Sequence, residues 1–100
     1  MIAAKPLFVP LKSEWFRAFA CGVKTVEYRR YGRGWNERTC YPGRPVTLSH
    51  GYSGARIPAR VVDVDLVYAA DVPRATELYA ADDVLIAIRL DLRRGGKAGV

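Results

Sequence analysis

Apolar and polar positions along the chain follow two different periods, and each change of period marks an element. Leu7–Leu11 is a short apolar run that contains Pro10, a residue with no backbone N–H, so it predicts a first strand with that end at a sheet edge or a strand terminus. A helix is predicted next. Ser13 is a suitable N-cap, Glu14 suits the positive end of the helix dipole, Trp15, Phe16, Phe19 and Ala20 form one apolar stripe, and Gly22 supplies the stop. From Val23 the period becomes two: Val26 and Tyr28 share one face of a strand, and Thr25, Glu27 and Arg29 share the other. Residues 31–45 fit neither period and read as a long loop of glycines, prolines and arginines interleaved with Tyr31, Trp35 and Tyr41.

Val46–His50 reads as a further strand, Gly51–Gly54 as a turn, and Arg56–Tyr68 as a long strand whose apolar positions change parity between Val61 and Val62. That change predicts a bulge, with Val62, Val64, Leu66 and Tyr68 facing inward after it and Asp63 and Asp65 outward. Asp71, Pro73, Ala75, Leu78 and Tyr79 predict a second short helix ending at Asp82-Asp83, and Val84, Ile86, Ile88, Leu90 and Leu92 form the clearest strand. The order β-α-β-loop-β-β-α-β predicts an α+β fold on a small, mainly antiparallel, closed or nearly closed β-barrel with two short helices. Residues 1–92 are expected to form a single domain and 93–100 a flexible C-terminal tail.

Composition narrows the class. One hundred residues bury roughly 60–70% of the unfolded surface, enough for one core without staples. Half the residues are hydrophobic and 26% are charged, which excludes disorder, and no apolar run approaches the ~20 residues of a membrane span. The first ten residues lack a signal-peptide pattern, so the expected location is cytoplasmic. Cys21, Cys40 and the single His50 are too few for a four-ligand zinc site, and Asp63 and Asp65 read as a solvated face. No metal and no cofactor are expected.

Charge is uneven. The net charge is +6, yet residues 1–60 hold 11 cations and 3 carboxylates while 61–100 hold 5 and 7. Lys24, Arg29, Arg30, Arg33, Arg38 and Arg44 face only Glu27 and Glu37, a density that attracts phosphates. Two apart on a strand, Glu27 and Arg29 lie roughly 7 Å apart on one face, close enough to form a structural ion pair or to hold a polar ligand between them. Lys24 follows Gly22 at the helix exit, so its direction is open. Arg30, Arg33 and Arg38 around Trp35 have the composition of single-stranded nucleic-acid binders, with Trp35 folded back on the barrel as the competing reading. Trp15, Phe16 and Phe19 read as core, and His50 as satisfying a local hydrogen bond.

The segment Gly22-Val23-Lys24-Thr25-Val26-Glu27-Tyr28-Arg29, directly after an amphipathic helix, resembles the ASCH family signature Gly-x-Lys-x-x-Glu-x-Arg. Tyr41-Pro42-Gly43-Arg44-Pro45-Val46 is similar to that family's closing turn, with Arg44 where the family commonly has Asp, and Arg60–Val64 is similar to its following strand. The resemblance spans about residues 7–92 and implies a PUA-like barrel that binds RNA or a nucleotide-like ligand in a cleft beside the sheet. In some branches it also implies hydrolysis. The amidohydrolase branch acts on N4-acylated cytidine through Lys-x-x-Thr; here Glu27 stands at the threonine's place, so that mechanism does not carry over as written.

Three functions follow as expectations. The first is binding of RNA or a nucleotide-like ligand through Lys24, Glu27, Arg29, Arg30, Arg33, Trp35 and Arg38, the loop serving as cover, with a steep salt dependence. The second is a hydrolase, a ribonuclease or a nucleoside amidohydrolase, with Lys24 and Glu27 catalytic. The third is a protein partner: a basic surface docking an acidic protein.

Overall fold

The computed structural model describes residues 5–92. Five strands and one helix follow in the order β1 (Leu7–Leu11), α1 (Ser13–Ala20), β2 (Val26–Arg30), β3 (Pro45–His50), β4 (Arg56–Tyr68) and β5 (Val84–Leu92). They form one mixed sheet in the order β1-β3-β4-β5-β2, curled into a half-barrel. Three of the four strand pairings are antiparallel and β1–β3 is parallel, so the α+β, mainly antiparallel expectation holds. Closure does not. β1 and β2 each have one ladder partner, and their outer edges are joined by side chains instead of backbone pairing.

Alternation sorts the strands into an inner and an outer face. Val9, Leu11, Val46, Leu48, Ala59, Val61, Ile86, Ile88 and Leu90 meet Phe16 and Phe19 of α1 in the main core. Phe19, Leu48, Ile86 and Ile88 are fully buried, each stabilising by about 1.5–3 kcal/mol relative to exposure. Leu85, one residue before Ile86, is buried on the opposite face with Ala69 and Ala75. The 69–79 segment therefore covers the back of the sheet at that end.

Three local expectations are corrected. The N-cap is Lys12, and Ser13 sits inside the first turn with its hydroxyl 2.5 Å from His50 Nε2. The second strand starts at Val26 because Lys24 N–H is taken by the Ala18 carbonyl, 3.0 Å away, in the turn that leaves α1. The second helix is absent: two single 3₁₀ turns, Ala69–Asp71 and Ala75–Glu77, stand in its place. Pro73 explains this, since it donates no hydrogen bond and forces the preceding residue out of the helical region; Val72 is extended at φ −114°, ψ 124°.

The bulge is where the parity change puts it. Val61 pairs with Leu90 and Asp63 with Arg89, leaving Val62 unpaired. Beyond it only Val64 turns into the core; Val62, Leu66 and Tyr68 are 42%, 44% and 57% exposed, contrary to the inward face expected of them. In the far half of β4 it is Val67 that packs, against the second cluster of Ala69, Ala75 and Leu85. No helix among the described residues is long and apolar enough to cross a membrane. The expected tail, 93–100, lies outside the described residues.

Candidate functional site

The ladder places Glu27 opposite Ile88 and Arg29 opposite Ile86, so both charged side chains share the face on which those isoleucines enter the core. A carboxylate there needs partners, because an unpaired buried charge is strongly unfavourable. Glu27 is 8% exposed and has two: Arg29 Nε donates to Oε2 at 2.8 Å, and Lys24 Nζ lies 3.6 Å from Oε1. Arg29 continues to β1, donating from Nη2 to the Pro10 carbonyl at 2.9 Å. That bond spans the gap between the two sheet edges and does part of the work of a missing strand pairing.

Aromatic rings hold the cations in place. Lys24 Nζ lies 5.3–5.5 Å from the centroids of Trp15, Phe19 and Tyr28, and the Arg29 guanidinium lies 4.7 Å from Trp35. Gly22, at φ +83°, turns the chain so that Lys24 reaches back to Glu27, which settles the direction left open by the sequence. The triad keeps one net positive charge.

These side chains line a cavity of about 460 Å³ between the two sheet edges, within the range of small-molecule pockets. Pro10, Leu11 and Trp15 form one wall; Tyr28, Val72, Leu78 and Tyr79 form the other; Lys12 and Arg74 stand exposed at the rim. Flat aromatic walls around a buried carboxylate and two fixed cations suit a planar, polar ligand that both stacks and hydrogen-bonds.

The structure brings together Lys24, Glu27 and Arg29, and sets the other four expected residues apart from the cavity wall. Arg30 pairs with Asp83 at 2.8 Å and lies 5.7 Å from the Tyr79 ring, just behind the wall. Arg33 and Arg38 are exposed on the 31–44 loop, and Trp35 folds back against the core. The loop is held by its own bonds: Asn36 donates to the carbonyls of Gly32 and Arg33 and accepts from the amides of Arg38 and Thr39. The Tyr31 hydroxyl donates to Glu37 at 2.5 Å, which lowers the Glu37 carboxyl below its usual range and raises the tyrosine above its own.

Trp15, Tyr28, Arg74 and Tyr79 were not anticipated as lining residues. Trp15 and Tyr28 carry apolar-stripe positions that read as core, and each is partly buried against a core cluster. Arg74 and Tyr79 lie some fifty residues from Lys24 in an irregular segment, and no local pattern connects them to it. His50 stands away from the cavity, stacked on Phe16 with ring centroids 5.1 Å apart. Among the described residues no three potential metal ligands cluster. No family model matches the chain, and no curated protein matches it.

Proposed function

We propose that this protein is a PUA-like domain of the ASCH type that binds RNA or a nucleotide-like ligand in the cleft between β1, α1 and β2. The observation that carries this reading is the buried Glu27 carboxylate, fixed by Lys24 and Arg29 within aromatic walls. A nucleobase has the matching chemistry: a π-face for Trp15, Tyr28 or Tyr79, and edge N–H donors for the carboxylate's free lone pairs. The hydrolase reading is ranked second, because both Glu27 oxygens are engaged by cations, an arrangement better suited to positioning than to proton exchange.

The test combines binding and turnover. Tryptophan fluorescence of the whole chain is followed against short single-stranded RNAs and N4-acetylcytidine, and the same mixtures are analysed by mass spectrometry. Saturable quenching that is lost in Lys24→Ala, with intact RNA and nucleoside, is the expected result. Cleaved products made by the wild type and not by Lys24→Ala would replace binding with hydrolysis. An unchanged signal with every probe would overturn the reading.

A further inference from the structure

Resting on the nucleotide-type reading of the cleft, we propose that Arg74 is its phosphate-binding residue, selecting a ligand that carries a nucleotide phosphate over the uncharged nucleoside. Arg74 has the one positive φ outside glycine among the described residues, φ +66° with ψ −1°. A side chain in that region is strained, and such outliers persist where the surroundings impose them. Pro73 before it and the turn Ala75–Glu77 after it impose this one. The result is a guanidinium at the cleft rim, 5.8 Å from the Trp15 ring centroid on the opposite wall.

Arg30 and Arg89 also hold carboxylates, those of Asp83 and Asp63, but neither lines the cavity; Arg74 does, and it differs from four further arginines in the nature of its partners. Arg29 donates to the Pro10 carbonyl, Arg44 to those of Lys5 and Thr39, Arg56 to those of Tyr52 and Gly54, and Arg60 to that of Gly43. Those guanidiniums are structural clamps on backbone groups that no ligand can replace without opening the chain. Arg74 instead holds Glu77, three residues on, at 3.2–3.4 Å, and is 64% exposed. An exposed pair of that length is weak and exchangeable. Glu14 of α1 is the other carboxylate that acts on it.

A phosphate entering over Trp15 offers the same planar fork a more highly charged acceptor than Glu77, and bidentate binding to it. Lys12 adds a second cation on the same rim. The base then lies inward toward Glu27, and the phosphate lies outward at Arg74. A free mononucleotide and a phosphate within an RNA chain present the same chemistry to this residue.

Calorimetric titration of the full chain at low salt tests the assignment, with cytidine, guanosine, their 5′-monophosphates and a pentanucleotide RNA as probes. Wild type is expected to bind the monophosphates, or the pentanucleotide, about tenfold or more tightly than the nucleosides. Arg74→Gly, which adopts the same φ without strain, is expected to erase that preference, the monophosphates and the pentanucleotide then binding no more tightly than the nucleosides, with the melting temperature kept. Glu77→Ala, by removing the competitor, is expected to enlarge the preference. A gain seen with mononucleotides points to a free nucleotide as ligand, and a gain confined to the pentanucleotide points to RNA; either supports the role of Arg74. Binding with no phosphate preference, or with a preference that survives in Arg74→Gly, would overturn that role and leave the cleft reading intact. Absence of binding by every probe would overturn both.

Discussion

Glu27 shows how one residue type can set the energetics of a whole site. On an inner face otherwise occupied by isoleucine, valine and phenylalanine, a carboxylate is tolerated only with Lys24 and Arg29 against it. Removing it leaves two one-fifth-exposed cations facing each other, so Glu27→Ala is expected to destabilise by about 2–4 kcal/mol in urea unfolding, the lower end reflecting partial solvent screening. Replacing all three residues together by apolar ones of similar volume should recover most of that loss while abolishing ligand binding, which separates stability from function. Glu27 and Arg29 are legible in the sequence as a pair because a strand period places them on one face. Lys24 was legible only as a candidate, since its convergence depends on the Gly22 turn and on three aromatic rings contributed by two elements.

At the scale of elements, periodicity located every strand and the bulge, and it failed at the segment 69–79. Apolar spacing there fits a helix, but Pro73 breaks the hydrogen-bond ladder, and burial of Ala69, Ala75 and Tyr79 against Leu85 stabilises the irregular path instead. The bulge keeps Ala59 and Val61 on the core face before it and Val64 on the core face after it. Deleting Val62 makes Val61, Asp63 and Val64 consecutive against Leu90, Arg89 and Ile88, which keeps both faces of β4 and removes only the local kink, so the deletion variant is expected to retain cooperative thermal unfolding, as followed by near-ultraviolet circular dichroism. Two exposed pairs give the elements a pH dependence. Arg89 donates to Asp63 across β4 and β5 and holds that carboxyl below its usual range, as Tyr31 does for Glu37 in the loop. Carboxylates lowered in the folded state contribute stability above their ordinary range and lose it as pH falls through the folded value. The melting temperature is therefore expected to fall slightly between about pH 5 and about pH 3, and less so in Asp63→Asn and Glu37→Gln. Tyr31, raised by the same hydrogen bond, has the opposite sign: its contribution is present below about pH 10 and is lost as pH rises beyond the folded value.

The whole molecule redistributes the charge that the composition announces. Arg29 is committed to Glu27 and Pro10, Arg30 to Asp83, and Arg44, Arg56 and Arg60 to backbone carbonyls, so few of the cations near the cleft are available to phosphates. Affinity for single-stranded RNA is therefore expected to fall with salt only gently, with a log–log slope of about −1 to −2, as fits one or two phosphate contacts at Arg74 and Lys12. A slope near −5 in filter binding would mean that the basic loop, and not the cleft, holds the RNA. The sequence by itself determined the strands, α1, the bulge, the long loop and the shared face of Glu27 and Arg29. These are set by contacts between residues close in the chain, where period and sterics act directly. Only the tertiary structure decided that the sheet stays open, that β1 and β2 form the two sides of a cleft bridged by Arg29, and that Trp15, Tyr79 and Arg74 meet across it. Such juxtapositions join segments separated by tens of residues, and they follow from how the curled sheet, α1 and the Pro73 segment bury their apolar faces together, which no local pattern encodes.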